Sequence, residues 1–312
     1  MTRVVALAGG VGGAKLADGL QAHIGEALTV VVNTGDDCWR HGLLVMPDHD
    51  TVLYNLAGIE QVEWGWGIEG DTRVVMDQLG VYGEETWFTL GDRDLALHIA
   101  RTARVRAGGR VTDACLDAQE ALGISARILP MTDDRVRTFV HTNAGRLAFQ
   151  DYLVRRRARG RVRRIELAGA RRAKAAPGVL AALRSSDVIV IAPSNPLVSV
   201  EPILAVQGVR DVLRRRRAHV VAVTPLVAGR PLKGPLHRML RGLGLEVSPR
   251  GVARRYAGVA GTFVLDERDR AWRPAVEALG LRVVVTDTVM RTRAHAARLA
   301  AATLAAVEPA RT

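Results

Sequence analysis

The chain opens with a short valine-rich run, Arg3 to Ala8, that stops at Gly9-Gly10-Val11-Gly12-Gly13. Lys15 to His23 then places Leu16, Ala17 and Leu20 at helical spacing, and Leu28 to Val32 is a second apolar run of strand length. Strand, glycine turn, helix and strand in this order make a βαβ unit. Nothing else in the sequence constrains the fold as strongly, because fully apolar strands joined through a helix belong to parallel sheets covered on both faces. Apolar runs return at Asp187 to Ala192, His219 to Val223 and Leu281 to Val285, separated by helical stretches that include Ile203 to Leu213 and Pro235 to Leu243. An alanine-rich helix, about Arg291 to Val307, follows. The pattern predicts an α/β fold with a Rossmann-like, doubly wound, mostly parallel sheet.

The middle of the chain breaks this alternation. Asp71 to Leu79 and Arg93 to Ala107 read as helices, and Val136 to Val154 reads as a hairpin turning at Asn143-Ala144-Gly145. We therefore expect residues 61–165 to form an inserted lobe of mixed helical and β-hairpin structure, with 1–60 and 166–312 as a nucleotide-binding core. Arg155, Arg156, Arg157, Arg159, Arg161, Arg163 and Arg164 read as a solvated basic connector.

Lys plus Arg is 44 against 32 Asp plus Glu, a net charge of +12, which favours anionic partners such as phosphates and nucleotides. Aromatic residues make up only 4%, too few for the stacking platforms of single-strand binders, so nucleic acid is not expected as a partner. Cys38 and Cys115 are too few for a disulfide framework, and no apolar stretch has the length of a signal or membrane segment. A cytoplasmic protein with no membrane association is the expectation.

The glycine turn, Gly9, Gly10, Gly12 and Gly13, exposes backbone N–H groups at a helix start, where a phosphate is favoured, and Lys15 adds a cation. It is neither a Walker A loop nor a strict dinucleotide fingerprint, since Leu16 and Lys15 stand where those motifs need Ser/Thr and Gly. Asp36 and Asp37 follow the second strand directly, and Asp48 and Asp50 come shortly after, so four carboxylates form a candidate Mg²⁺ site. The structural alternative is that Asp36 or Asp37 caps a turn and that Asp48 and Asp50 open a helix from Thr51 to Ala57. A ribose-binding role in an oxidoreductase is a more distant alternative. Leu90-Gly91-Asp92-Arg93-Asp94 precedes a helix carrying His98 and Arg101, with the Arg93 fork suited to a carboxylate or phosphate and Asp92 alternatively an N-cap. Ser194 and Asn195 follow the strand ending at Ala192, and Lys233 lies after a further strand; all three are candidate nucleotide or phosphate contacts.

The motifs GGVGGAK, VVNTGDD, PDHDTVLYNLAG, WGIEGDT, LGDRDLALHIART, LPMTDD, FQDYLV, APSNPLVSVEPILA and TPLVAGRPLKGP, in this order along nearly the whole chain, resemble the 2-phospho-L-lactate and phosphoenolpyruvate transferases of coenzyme F420 biosynthesis. The resemblance implies transfer of a phospholactyl or phosphoenolpyruvyl group from a guanosine diphosphate adduct to the ribityl hydroxyl of the deazaflavin Fo, releasing GMP with Mg²⁺ required. It implies that Asp50 and Arg93, with Asp92 beside them, contact Fo. The Gly9–Gly13 turn and the Ser194-Asn195 loop would hold the guanosine diphosphate, and Asp36, Asp37 or Asp48 the metal. Asp50, with Asp36, is the candidate for orienting or deprotonating the acceptor hydroxyl. The tryptophans of Trp64 to Gly67 face either the deazaflavin ring or the core of the lobe. The resemblance also implies a homodimer. A related set of nucleotide-sugar-binding regulators shares the glycine turn and the acids, but the LGDRD segment favours the transferases.

Overall fold

The structure, a computed structural model, describes residues 2–307; the end of the 166–312 stretch lies outside the described residues. The strands are β1 (Val4–Ala8), β2 (Leu28–Val32), β3 (Cys38–Arg40), β4 (Leu43–Val45), β5 (Arg127–Pro130), β6 (Arg137–Thr142), β7 (Gly145–Ala148), β8 (Val162–Ala168), β9 (Val188–Ile191), β10 (Val220–Val223), β11 (Leu226–Val227), β12 (Arg230–Pro231), β13 (Thr262–Asp266) and β14 (Arg282–Thr286). Seven form one parallel sheet in the order β14-β13-β10-β9-β1-β2-β5. From β1 the chain winds outward through β2 to β5, then returns to the other side of β1 and winds away through β9, β10, β13 and β14. This is the doubly wound order, and its direction reverses between β1 and β9.

The side chains of β1 show why the strand is central. Val5 and Leu7 enter one core with Val31, Leu129, Ile189 and Phe263, whereas Val4, Ala6 and Ala8 enter the opposite core with Val30, Ile128, Val190 and Leu299. Each fully buried aliphatic side chain contributes roughly 1.5–3 kcal/mol, so a strand with no polar face is stable only in the middle of a covered sheet.

Helix α1 (Gly10–Ile24) starts earlier than its apolar spacing implied: Gly10, Val11, Gly12 and Gly13 are its first turn rather than a free loop. Helix α2 (Pro47–Ala57) likewise begins at Pro47, with the proline at a position that needs no N–H, so Asp48 and Asp50 are helical residues and not loop ligands. Helices α3 (Val74–Val81) and α4 (Asp92–Arg106) pack with β4 around Val45, Met76, Leu90 and Leu95. Helix α5 (Val111–Ala121) leads into β5.

Two differences from the sequence reading concern the stretch 61–165. Within it, Arg127–Pro130 is not part of a lobe: as β5 it pairs with β2 and is the edge of the main sheet. Four residues ending in proline gave too short an apolar run to read as a strand, and the edge position tolerates the proline. The expected hairpin forms as β6 and β7, but a third strand, β8, joins it, so Arg163 and Arg164 of the basic connector lie in a strand that pairs with β6. Thr262–Asp266 is a further core strand that the pattern of apolar runs did not single out. Ile203 to Leu213 is divided into two short helices by Gly208 in the left-handed region, φ 81°.

Candidate active site

At the reversal between β1 and β9 the carboxyl ends of both strands open into the turn Gly9–Gly13 and the segment Ala192–Asn195, the place where open α/β sheets bind ligands. These two segments pack directly on each other. Ser194 Oγ accepts the Gly9 N–H at 3.1 Å. A Cβ on Gly12 would stand 2.5 Å from the Pro193 carbonyl oxygen, so only glycine fits there, and Gly10 takes φ 63° to start the helix.

A buried cluster of acids lies against this turn. Asn33, immediately after β2, places Nδ2 3.1 Å from Asp36 Oδ1, 2.8 Å from Asp48 Oδ2 and 3.3 Å from the Val198 carbonyl. Gln150, from beyond the small sheet, donates to the other Asp36 oxygen at 2.8 Å. Asp48 also accepts hydrogen bonds from Ser199 and from the Gly10 N–H, so its carboxylate sits at the positive start of α1. Burial, and next the neighbouring Asp48 charge, push the Asp36 carboxyl well above its ordinary range. Burial and the Asp36 charge do the same to Asp37. Burial pushes Asp48 up to about 6 against the hydrogen bonds from Asn33, Ser199 and Gly10.

Among the described residues, no lysine, arginine or histidine makes an ion pair with Asp36, Asp37 or Asp48, and Asp37 Oδ1 is buried with no hydrogen-bond partner. Hard oxygen donors that no protein cation pairs with directly, one of them orphaned and only partly offset by the more distant Arg101 charge, fit a divalent cation such as Mg²⁺. The three do not form a closed cage of ligand atoms. Among the described residues, the set of three acidic or histidine ligand atoms that lie within 4.8 Å of one another is a different one, Asp50, Asp94 and His98.

That second set is occupied from within. Asp50, two residues beyond Asp48, points to α4, where the two terminal guanidinium nitrogens of Arg101 meet its two oxygens. Asp50 and Arg101 are 4% and 2% exposed. His98 Nδ1 lies 3.3 Å from Arg101 and its Nε2 3.3 Å from Asp94, which accepts the Tyr54 hydroxyl. Burial would raise the Asp50 carboxyl, but the Arg101 charge, then His49 and His98, more than reverse this and hold it below its ordinary value. Arg101 itself lines a groove of about 380 Å³ whose walls include Tyr54, Ile68, Arg93 and Leu97.

The other expected residues are placed less centrally. Lys15 donates to the Met290 carbonyl at 3.2 Å, and burial followed by the Lys233 charge lowers its pKa. Lys233 donates to the Trp64 carbonyl at 2.9 Å. Asn195 caps the helical turn that follows it by accepting from the Leu197 N–H, 3.0 Å. Asp92 is not the N-cap of α4, because Gly91 holds that position; its carboxylate accepts from the Val74 and Val75 N–H groups, both 3.0 Å, at the start of α3. Asp71 returns the arrangement by accepting from the Arg93 and Asp94 N–H groups. Arg93 is exposed at the groove rim, donating to the Glu69 carbonyl at 3.2 Å.

The family model described as 2-phospho-L-lactate transferase CofD matches residues 4–304. The chain belongs to this CofD family. It is 40% identical over 299 residues to the 2-phospho-L-lactate transferase of Methanosarcina mazei, covering 95% of this chain and 98% of the relative. To the phosphoenolpyruvate transferase of Streptomyces griseus it is 42% identical over 298 residues, covering 92% and 93%. In fold, it matches the crystal structure of a UPF0052 family protein from Bacillus halodurans with a TM-score of 0.63 at 18% identity, over 97% and 98% of the chains. This CofD-family chain is thus an enzyme of the 2-phospho-L-lactate or phosphoenolpyruvate transferase type.

Around the CofD-family glycine turn, sequence reasoning missed the residues that organise the acids. Asn33 stands inside the NTGDD motif but carries no charge, and Gln150 lies 114 positions from the carboxylate it holds. Tyr54 and Asp94 gave only core and helix-start signals. For His98 and Arg101, the i, i+3 spacing on α4 was the available clue that both face the same way.

Proposed function

We propose that this protein transfers a phosphoenolpyruvyl or 2-phospho-L-lactyl group from its guanosine diphosphate adduct to the ribityl hydroxyl of the deazaflavin Fo, in coenzyme F420 biosynthesis. The acceptor oxygen bonds to the phosphorus that carries the three-carbon acid, the bond from that phosphorus to GMP breaks, GMP leaves, and the hydroxyl proton is released. The observation that supports this reading most directly is the meeting of the α1 glycine turn, the Ser194 segment and the Asp36, Asp37 and Asp48 cluster at one strand reversal.

In this reading Gly9, Gly10, Gly12 and Gly13 with Ser194 and Asn195 bind the guanosine diphosphate, and Lys15 and Lys233 supply positive charge beside it. Asp36, Asp37 and Asp48 hold Mg²⁺, which when bound offsets charge developing on the diphosphate. Positioning and fixed charge carry most of the catalysis in such a transfer. Asp50 and Arg93, with Asp92 setting the start of α3 beside them, contact Fo. Held ionised by Arg101, Asp50 is a poor proton acceptor and a good fixed hydrogen-bond acceptor, so it orients the hydroxyl, while Asp36 is the more basic carboxylate. In this reading the protein is a homodimer, as the family resemblance implies, and the low cysteine count supports a cytoplasmic location.

The test is mass spectrometry of purified protein with Mg²⁺, Fo and either guanosine diphosphate adduct. GMP together with a phosphodiester-linked deazaflavin supports the reading, and the faster donor names the three-carbon group. No product, with thermal stabilisation by a UDP-sugar and none by GDP, would overturn it. Asp50→Asn with near-normal turnover and unchanged metal affinity would remove the role given to Asp50.

A further inference from the structure

Two indoles stand exposed beside the glycine turn, on a segment that is otherwise tightly tied. Trp64 and Trp66 are 42% and 46% exposed, with ring centroids 5.5 Å apart and planes tilted by 32°. The chain that carries them is pinned by its own backbone: the Gln61 N–H donates to the Gly67 carbonyl at 3.0 Å, the Gly65 N–H to the Gln61 carbonyl at 2.8 Å, and a bridge joins Glu60 to Ile68. The Gln61 side chain accepts the Trp64 N–H at 3.1 Å. Exposure of both rings is therefore a property of a built loop.

The loop is anchored on the glycine turn and on Lys233, one of the residues given to the nucleotide. Gly65, at φ 75°, lies so close to α1 that a Cβ would come 2.6 Å from Val11 Cγ1, and Val11 is in the glycine turn itself. Lys233 Nζ holds the Trp64 carbonyl at 2.9 Å and the Glu63 carbonyl at 3.4 Å, and its charge is felt by Lys15. Positive charge and paired indole faces are thus gathered at the edge of the strand reversal. The Arg73 guanidinium lies over the Trp64 ring, 5.4 Å from its centroid, while the ring remains 42% exposed.

We propose that Trp64 and Trp66 form a platform on which a fused heteroaromatic ring of a bound substrate stacks. The inference rests on the reading under Proposed function and adds the residues that hold the ring. Both substrates carry such a ring, the guanine of the donor and the deazaflavin of the acceptor. Stacking on an indole is tolerant of ring identity, and each aromatic face changes affinity by about ten- to a hundredfold.

The experiment is calorimetric titration of the full-length protein with Fo alone and with GDP plus Mg²⁺ alone, for the parent, Trp64→Leu, Trp66→Leu, Trp64→Phe and the remote control Trp272→Leu. Both positions are exposed, so the thermal midpoint of each variant should match the parent. The expected result is at least tenfold weaker binding of one ligand in the leucine variants, largely restored in Trp64→Phe and unchanged in Trp272→Leu. The affected ligand identifies the ring. Unchanged affinity for both ligands overturns the platform while leaving the transferase reading in place. If the leucine variants bind normally but shift from dimer to monomer in sedimentation, the indoles are a contact between copies and the proposal falls. A parent protein that binds neither ligand refutes the transferase reading and the platform with it.

Discussion

Replacing Arg101 by methionine isolates the strongest electrostatic arrangement in the molecule. Arg101 meets both oxygens of Asp50, and both side chains lie beneath the surface. Removing one partner of a buried ion pair leaves an uncompensated charge, at a cost of about 3–5 kcal/mol. Met46 N–H and His49 remain near Asp50 at 3.4 and 3.5 Å, contacts too long to replace a bidentate guanidinium. Urea unfolding of the parent, Arg101→Met, Asp50→Asn and the double variant forms a cycle. Each single change should lower stability by several kcal/mol, whereas the double variant, with neither charge, should be less destabilised than the sum by at least about 2 kcal/mol. The pH dependence gives a second, signed readout. The folded-state pKa of Asp50 is held below its unfolded value of about 3.9, so its contribution is present above about pH 4 and is lost as pH falls through the folded value. Without Arg101 only His49 and His98 oppose the effect of burial on Asp50, so its pKa rises and Arg101→Met should lose less stability than the parent, or gain some, on acidification from neutral pH. A single variant within 1 kcal/mol of the parent, or strictly additive losses in the cycle, would refute this account.

The acid cluster should respond in the opposite sense. Asp48 has a folded pKa of about 6 against about 3.9 unfolded, so the metal-free protein carries a cost of about 3 kcal/mol at neutral pH that is relieved as pH falls from 7 toward 4; thermal melts in EDTA should show that gain, and saturating Mg²⁺ should flatten it. Asp37→Asn removes repulsion and an orphaned ligand together, so it should raise the melting temperature in EDTA while weakening Mg²⁺ binding at least about tenfold by calorimetry. Gly12→Ala should destabilise by about 1–3 kcal/mol because a methyl would meet the Pro193 carbonyl at 2.5 Å, whereas Gly258→Ala, with nothing within 4 Å, should stay within about 0.5 kcal/mol in the same urea titration.

Strands β1, β2, β9, β10 and the edge strand β14 were legible because each carries at least three consecutive aliphatic residues, a pattern suited to a covered parallel sheet. Strands β5 and β8 were not, since β5 ends in proline and β8 lies in an arginine run, and both owe their conformation to partners distant in sequence. Asp92 shows the same limit at a site. Its spacing announces a helix start, and a helix does start there, but the carboxylate serves the beginning of α3, 17 and 18 residues earlier, because the two helix starts lie side by side.

The acids of PDHD carry this furthest. In sequence Asp48 and Asp50 look like one pair of ligands. Once the helix begins at Pro47, two positions along it differ by about 200° around the axis, so the two carboxylates must face different neighbours. Asp48 turns to Asn33 and the glycine turn, and Asp50 turns to Arg101, which lines the groove beside Arg93. The protein's own buried cation pairs directly with Asp50, leaving Asp48, Asp36 and Asp37 without an ion-pair partner among the described residues and with Asp37 only partly offset by the Arg101 charge. About half a turn of α2 thus separates a set of acids suited to an external cation from a carboxylate whose charge is already fixed. Two substrates meeting on opposite sides of that turn would find a metal-ready face for a diphosphate and a permanent hydrogen-bond acceptor for a hydroxyl.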